Sequence, residues 1–227
     1  MILGVDLDGC LADFNSSYIA RIVDLHGDRL VGPMGTPFSQ MLPQHASWYP
    51  DCWDYPEAAG YTDTQMSAVW KSIKKDPLFW RSLHAFPGTR AACEALERVA
   101  AEGHNVYFIT SRPGATAKAQ SEWWLKGYGL SCPTVIVSPD KAAFTMLLKL
   151  DAYIDDRLLF VNDVMHSVRE AGLLTRVYLQ EQPWNRRPLM DLDPEKVPPV
   201  TAWDDYRDPA VRPVLGVVEM LMQEGLV

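Results

Sequence analysis

The chain has 227 residues, of which 48% are hydrophobic, and a formal net charge of −8. This length allows one domain with a substantial core, or one domain that carries an insertion. The negative charge, without a Lys/Arg block, argues against binding to a nucleic acid polymer, and no apolar run is long enough to span a membrane.

The N-terminal residues lack the basic segment of a signal peptide, so we expect a cytoplasmic protein with no membrane partner. The cysteines lack the close spacing of a zinc site or a redox pair. We therefore expect reduced thiols at Cys10, Cys52, Cys93 and Cys132.

Two carboxylates follow the first apolar run. The stretch VDLDGCLADF places Asp6 and Asp8 directly after Ile2–Val5, and Gly9 comes next. Residues two apart on a strand point to the same side, and adjacent carboxylates repel each other unless a cation or a shared proton compensates. Because buried parallel strands bring their C-terminal ends to ligand sites, this pattern favours a functional site over a solvated loop.

The rest of the chain alternates between predicted strands and predicted helices. Buried strands are predicted at Ile2–Asp6, Val106–Thr110, Thr134–Val137, Ala152–Asp155 and Arg176–Leu179. Helices are predicted at Thr89–Ala101, 116–127, Lys141–Leu150, Asp163–Ala171 and near Pro209–Gln223. This alternation predicts an α/β, Rossmann-like fold with a parallel five-stranded sheet and helices on both faces.

The interval between the first two predicted strands is too long for one crossover connection. It contains two predicted helices, Asn15–Leu25 and Asp63–Lys74, separated by a segment rich in Pro, Gly and aromatic residues. We therefore predict an inserted helical cap at 15–84, which lies over the C-terminal edge of the sheet and selects the substrate. The catalytic core is then formed by 1–14 and 85–227.

Polar residues of a few chemical types follow four of the predicted strands. They are Asp6 and Asp8, then Thr110 and Ser111, then Lys141, then Asp155 and Asp156. In a parallel sheet these strand ends meet at one edge. Carboxylates with oxygen-only partners suit a hard cation such as Mg²⁺, whereas hydroxyl groups and an ammonium group suit a phosphate. Each feature alone is common in structural positions, but their combination predicts a magnesium-dependent phosphate site.

These motifs resemble those of the haloacid-dehalogenase-like superfamily of aspartate-nucleophile phosphatases. More closely, the chain resembles the 5'(3')-deoxyribonucleotidase family, over VDLDGCLADF, residues 77–113, DKAAFTMLLKLDAYIDDR, and the later QPWNRRP and VTAWDDY. Residues 26–62 do not align. The resemblance implies a phosphoric monoester hydrolase of the 5'-nucleotidase type, which acts on (deoxy)nucleoside 5'-monophosphates in nucleotide metabolism.

The resemblance also implies a role for each polar strand end. Asp6 is the nucleophile that forms an aspartyl-phosphate, and Asp8 is first the general acid and then the general base. Mg²⁺ is held by Asp6, the Asp8 carbonyl, and Asp155 and Asp156, of which either could be the direct ligand. The phosphate-binding residues are Gly9, Thr110, Ser111 and Lys141.

Aromatic residues of the predicted cap are candidates for a nucleobase pocket, because bases stack on aromatic rings with little sequence preference. The candidates are Trp53, Trp70, Phe79 and Trp80, with packing in a small cap core as the alternative for each. Arg112 is a candidate for a substrate contact, with a surface ion pair as the alternative. Packing positions are predicted for Trp123, Trp124 and Trp203.

Three alternative functions use parts of the same pattern. A related phosphatase of a sugar phosphate or another small metabolite would have the same core residues. A signalling module phosphorylated on aspartate is disfavoured by the order of the motifs and by the large cap, and a nucleotide-binding protein without turnover is disfavoured by the complete catalytic set. The sequence does not determine the base, the sugar, the position of the phosphate or the oligomeric state, for which a homodimer is one alternative.

Overall fold

A computed structural model describes residues 1–31, 35–41, 54–182, 184–185 and 200–201, together with residues 218 and 221. Trp53, Trp203 and most of the helix predicted near Pro209–Gln223 lie outside the described residues; residues 218 and 221 are helical. Within the described ranges, no helix is both long and apolar enough to cross a lipid bilayer.

Ten strands are described in chain order: β1 (Ile2–Val5), β2 (Ala12–Asp13), β3 (Leu30–Val31), β4 (Thr36–Pro37), β5 (His84–Ala85), β6 (Asn105–Thr110), β7 (Thr134–Val137), β8 (Ala152–Asp155), β9 (Arg176–Gln180) and β10 (Val200–Thr201). The described helices are α1 (Phe14–His26), α2 (Tyr55–Ala58), α3 (Asp63–Lys75), α4 (Thr89–Ala101), α5 (Ala117–Gly127), α6 (Lys141–Leu148) and α7 (Leu158–Glu170). A short 3-10 helix covers Phe38–Met41.

The central sheet is parallel and has the strand order β10-β9-β8-β1-β6-β7. Five of these strands are the predicted ones, so the predicted α/β fold is confirmed. The two-residue strand β10 adds a sixth member at the edge, where Val200 lies opposite Leu179; two residues carry too little pattern to be predicted. The order of connections reverses between β1 and β8, and the C-terminal ends of strands at such a point form a ligand crevice.

Helices cover both faces of the sheet, as predicted. Because side chains alternate along a strand, Leu3 and Val5 of β1 pack with α4 and α5 on one face. On the other face, Ile109 and Tyr153 pack against α6 and α7, where Val161 is buried. The apolar residues of α7 continue in helical spacing back to its first residue, so α7 begins five residues before the predicted start at Asp163.

The segment predicted as a cap is joined to the sheet domain by a short antiparallel pair. In this pair β2 lies beside β5, with Ala12 opposite Ala85, so the two ends of the segment lie together. Asp13 caps α1 by accepting a hydrogen bond from the Ser16 amide at 3.0 Å. The division into a core and a cap domain stays a prediction.

The predictions for two tryptophans of α5 have opposite outcomes. Trp124 is buried and donates a hydrogen bond from Nε1 to the Leu83 carbonyl at 2.8 Å, as expected for a packing residue. The prediction for Trp123 is wrong, because its side chain is 53% exposed and the Arg81 guanidinium lies 3.9 Å from its ring centroid. A cation–π contact with Arg81 takes the place of core packing for this ring.

Candidate active site

Asp6 lies directly after β1, where the sheet holds its backbone. Its amide donates to the Ile154 carbonyl at 2.9 Å, so the ladder between β1 and β8 continues to this residue. The side chain is buried; Oδ2 lies 2.8 Å from Lys141 Nζ, and Oδ1 has no hydrogen-bond partner. Burial raises the pKa of Asp6 to about 7, which Lys141 opposes and Asp155 reinforces. A buried carboxylate with one unpaired oxygen is thus aimed at this edge of the sheet.

Lys141 is the first residue of α6, and it joins two of the acidic residues. Its Nζ lies 2.6 Å from Asp155 Oδ2, in addition to its contact with Asp6. Burial by itself lowers the pKa of this ammonium group, but the two carboxylates more than offset that effect and raise the pKa of Lys141. The lysine therefore carries a fixed positive charge at the site.

Asp155 is held at both of its oxygens. Oδ2 also accepts a hydrogen bond from the Tyr153 hydroxyl at 2.5 Å, and Oδ1 accepts one from the Arg157 amide at 2.8 Å. Tyr153 is two residues earlier on β8 and therefore lies on the same side of the strand. The Asp155 carboxylate thus has a partner at each oxygen.

Asp156 differs from its neighbour because one oxygen is open. Trp184 Nε1 donates to Oδ2 at 2.8 Å, whereas Oδ1 has no partner. Burial, with Asp155 and Asp6 nearby, raises the pKa of Asp156 well above its ordinary value. Gly9 has a φ of 82°, and a Cβ there would overlap the Asp156 carboxylate, so only glycine fits this close approach.

Three carboxylates form one buried cluster that fits a cation. One oxygen of each of Asp6, Asp155 and Asp156 lies within 4.8 Å of the others. Unpaired buried carboxylate oxygens are costly, and two of them, on Asp6 and Asp156, occur here. All donors are oxygen atoms, which suits a hard divalent cation such as Mg²⁺. The Asp8 side chain is not part of this cluster, and the role predicted for its carbonyl stays a prediction.

Asp8 is paired with Arg112, a contact that neither sequence alternative for this arginine anticipated. Arg112 Nη2 lies 2.7 Å from Asp8 Oδ1, and Nε lies 3.0 Å from Oδ2. The arginine side chain is 0% exposed and that of Asp8 is 18% exposed. Arg112 therefore forms a buried ion pair inside the site and not a surface one.

The two hydroxyl residues at the end of β6, Thr110 and Ser111, lie in different environments. Thr110 is fully buried, and its Oγ1 has no hydrogen-bond partner. Ser111 is exposed, and its Oγ donates to the Ser138 carbonyl at 3.2 Å. Of these two hydroxyl groups, that of Thr110 is therefore the one without a partner in the protein.

A cavity of about 340 Å³ opens in front of these groups. Its lining includes the polar residues Asp6, Asp8, Thr110, Ser111, Arg112 and Lys141. It also includes Lys74 and an aromatic wall formed by Phe14, Trp70 and Trp80. Of the predicted pocket aromatics, Trp70 and Trp80 thus line the cavity. Phe79 does not, because it packs edge-on against Trp80 at a centroid distance of 4.9 Å. Trp53 lies outside the described residues.

Several site residues were missed from the sequence. Phe14 stacks between Trp70 and Trp80, at 5.7 Å from each ring; its place at the end of VDLDGCLADF was a usable signal. Tyr153 was detectable because it precedes Asp155 by two residues on a strand. Trp184 lies in the QPWNRRP segment, but nothing local indicates that its indole reaches Asp156.

No protein-family model matches the chain. Among curated proteins, it is similar to the "Putative nucleotidase" of Bacillus cereus, with 24% identity over 156 residues, which are 67% of this chain and 74% of that protein.

Two solved structures of similar length share the fold. A hydrolase from Pseudomonas syringae has a TM-score of 0.51 and 13% identity, over 97% of this chain and 98% of that one. A "putative haloacid dehalogenase-like hydrolase" from Burkholderia xenovorans has a TM-score of 0.52 and 12% identity, over 100% of this chain and 98% of that one. The chain therefore has the Rossmann-like α/β fold of haloacid-dehalogenase-like hydrolases.

Proposed function

We propose that the protein is a Mg²⁺-dependent phosphomonoesterase that hydrolyses (deoxy)nucleoside 5'-monophosphates through an aspartyl-phosphate. One observation carries the proposal: Asp6, Thr110 and Lys141 line one cavity, and Asp6 Oδ1 and Thr110 Oγ1 have no hydrogen-bond partner in the protein. A nucleophile, a neutral donor and a cation are what phosphoryl transfer needs from its site.

In the first step, a carboxylate oxygen of Asp6 forms a bond to phosphorus, and the bond from phosphorus to the nucleoside oxygen breaks. Asp8 gives its proton to the leaving alkoxide. In the second step, Asp8 takes a proton from water while the water oxygen attacks phosphorus, and the bond to Asp6 breaks. Inorganic phosphate leaves, and both carboxyl groups return to their first state.

Thr110 and Lys141 have supporting roles in both steps. The Thr110 hydroxyl donates to a phosphoryl oxygen, and Lys141 neutralises charge on another. Donors placed in this way contribute about 10²- to 10³-fold in kcat in other enzymes. The backbone amides of Gly9 and Ser111 are further donors in this proposal.

The metal ligands in this proposal are Asp6, Asp156, Asp155 and the Asp8 carbonyl. Asp156 is the better candidate for a direct contact than Asp155, because its Oδ1 is open whereas both Asp155 oxygens have protein partners. When bound, Mg²⁺ neutralises charge on the phosphoryl oxygens.

The aromatic wall supports a nucleotide over a sugar phosphate. Trp70 is the most accessible of the three rings on that wall, since Phe14 and Trp80 are nearly buried. Stacking of a base on an aromatic ring contributes about 1–3 kcal/mol in other proteins. The name of the Bacillus cereus relative agrees with this substrate class.

Phosphate release from a panel of esters tests the proposal. The panel contains ribo- and deoxynucleoside monophosphates with 5', 3' and 2' phosphates and common sugar phosphates, each with Mg²⁺ and with EDTA. We expect metal-dependent release that is fastest from deoxynucleoside 5'-monophosphates and absent in Asp6→Asn. Release from sugar phosphates alone would retain the chemistry and reject the nucleotide. Wild-type rates in Asp6→Asn would reject the mechanism.

A further inference from the structure

We propose that Arg112 is a positioning residue that fixes the Asp8 carboxylate for proton transfer. This inference rests on the proposed function, because it concerns the group that serves there as acid and base. It assigns Arg112 a role on Asp8, where the sequence suggested a contact with substrate phosphate.

Each nitrogen of the Arg112 guanidinium already has a protein partner. Nε and Nη2 face Asp8, and Nη1 donates to Ser121 Oγ at 2.9 Å. Ser121 Oγ in turn donates to the Ala117 carbonyl at 2.8 Å, one turn earlier on α5. The orientation of the guanidinium is therefore set by α5 and not by a ligand.

The ring of Trp80 also holds the Arg112 side chain, by lying next to its guanidinium group. Its guanidinium carbon lies 5.1 Å from the centroid of the Trp80 ring, and Trp80 Nε1 donates to the Pro113 carbonyl at 3.1 Å. The backbone amide of Trp80 is also held, by Gln120 Oε1 at 2.8 Å. A planar guanidinium fixed in this way can hold a carboxylate in one orientation, which an ammonium group cannot do.

Stability alone does not explain this pair. A buried ion pair often contributes no net stability, because the cost of removing two charges from water offsets their attraction. Asp8 nevertheless keeps part of its surface open to the cavity. Arg112 occupies one side of the Asp8 carboxyl group and leaves the other side for the proton that Asp8 gives to the leaving group and then takes from water.

The chain contains a matched control. Arg21 has the same three kinds of partner in the segment 15–84, although it contacts its aspartate through one nitrogen: Nη2 lies 2.6 Å from Asp76 Oδ2, Nη1 lies 2.5 Å from Ser72 Oγ, and the guanidinium lies 5.4 Å from the Phe79 centroid. None of these four residues lines the active-site cavity. Arg21→Met therefore reports what the loss of such a pair does to folding alone.

The test compares Arg112→Met, Arg112→Lys and Arg21→Met on the best ester of the panel and on p-nitrophenyl phosphate. We expect both Arg112 variants to lose on the order of 10²-fold in kcat on the best ester of the panel at unchanged KM, as for a displaced catalytic group. On p-nitrophenyl phosphate, where the attack of water becomes the slow step, kcat and KM fall together. Arg21→Met keeps the wild-type kcat. Thermal unfolding of each variant shows whether it is folded.

p-Nitrophenyl phosphate separates the two roles of Asp8, because p-nitrophenolate leaves without needing a proton. With Arg112→Met we expect a rapid burst of one p-nitrophenol per site, followed by slow turnover, since only the attack of water then needs Asp8. A raised KM at unchanged kcat would identify Arg112 as a phosphate contact and overturn the inference. Equal losses in Arg21→Met would also overturn it.

Ser121→Ala keeps the inference testable if the Arg112 variants do not fold. This change leaves Arg112 in place and removes one of its anchors, so we expect a smaller fall in kcat with no change in KM. An unchanged kcat in Ser121→Ala would contradict the positioning role. A failure of the proposed function can be distinguished from a failure of this inference, because the wild-type protein would then hydrolyse neither ester.

Discussion

The C-terminal edge of the sheet and the segment 15–84 each contain an arginine–aspartate pair with the same kinds of neighbour, but the two pairs differ in how exposed they are. In each, an arginine binds an aspartate and a serine and lies over an aromatic ring. The Arg112 and Asp8 side chains are 0% and 18% exposed, whereas those of Arg21 and Asp76 are 23% and 25% exposed. An arginine with these three kinds of partner therefore does not by itself indicate a functional site; the surroundings of the pair do.

The surroundings differ in how completely polar atoms are paired. Within the described ranges, the buried side-chain atoms without a hydrogen-bond partner are Asp6 Oδ1, Thr110 Oγ1, Asp156 Oδ1 and Gln180 Oε1. All follow or end a strand of the sheet, and none belongs to segment 15–84. Buried polar atoms are nearly always paired in proteins, so this concentration marks the sheet edge as the region built for a ligand.

The largest expected effect is a difference in kcat between substitutions of the two paired aspartates, Asp8 and Asp76. Asp8→Asn keeps the shape and one acceptor oxygen for Arg112 but removes the proton-transfer group, so kcat falls by about 10²- to 10⁴-fold. Asp76→Asn keeps the wild-type kcat. Steady-state phosphate release measures both variants, and equal kcat losses in the two would remove the functional distinction between the regions.

The next effect concerns the unpaired hydroxyl. Thr110→Val removes a phosphate donor, and we expect kcat to fall by about 10²-fold. Because the hydroxyl has no partner in the free protein, its removal does not lower the free energy of unfolding. Thr110→Ser, which keeps the hydroxyl, retains most activity. A destabilised Thr110→Val protein would show that the hydroxyl is structural.

Cation binding is expected to stabilise the protein through the acidic cluster. Mg²⁺ at about 100 times its Kd would add about 2.7 kcal/mol to the free energy of unfolding. Asp156→Asn removes this increment, while Asp163→Asn, an exposed carboxylate on α7, leaves it intact. Thermal unfolding with and without Mg²⁺ makes the comparison. An unchanged increment in Asp156→Asn would exclude this residue as a ligand.

A smaller effect tests the aromatic wall. Trp70→Ala removes a stacking surface worth about 1–3 kcal/mol, so KM rises for nucleotides and not for p-nitrophenyl phosphate. Trp123→Ala is the control, because this tryptophan is exposed on α5 away from the cavity. Parallel KM changes for all esters would show that Trp70 only packs the segment.

The smallest effect is a pH dependence of stability. Burial raises the pKa of Asp13 despite its bonds from Ser16. The folded state therefore binds this proton more tightly than the unfolded chain does, and the stabilisation is fully present below the unfolded pKa of about 3.8. It is lost as pH rises through the folded pKa.

Asp13→Asn isolates this contribution, since the amide oxygen still caps α1 but cannot titrate. We expect the stability of the wild type relative to Asp13→Asn to fall as pH rises from about 3.8. Chemical unfolding at several pH values measures the difference. A difference independent of pH would show that Asp13 ionises as it does in the unfolded chain.

The sheet edge was predictable because its chemistry follows directly from strands. Asp6, Thr110 and Asp155 each come at the end of an apolar run, and the parallel order then brings them together. The pair of Asp8 with Arg112 joins residues 104 positions apart, and no local pattern encodes it. Lys141 was predictable by its place at the start of a helix that follows a strand, although its two carboxylate contacts were not.

The aromatic wall was only partly predictable for a related reason. Phe79 and Trp80 are adjacent in sequence, yet only Trp80 lines the cavity. Which of the two faces it depends on how the segment packs on the sheet domain, and hydrophobicity does not distinguish them. Phe14, in contrast, takes part in the wall because the first helix begins directly after the acidic motif.

The most direct test of the account is to trap the phosphoryl group on Asp6. Asp8→Asn is mixed with p-nitrophenyl phosphate and Mg²⁺ and quenched in acid, and its peptides are measured by mass spectrometry. We predict one added phosphoryl group on the peptide with Asp6, located by fragmentation to that residue, and none in the variant that also carries Asp6→Asn. A phosphoryl group on another residue, or turnover by Asp6→Asn, would contradict the account.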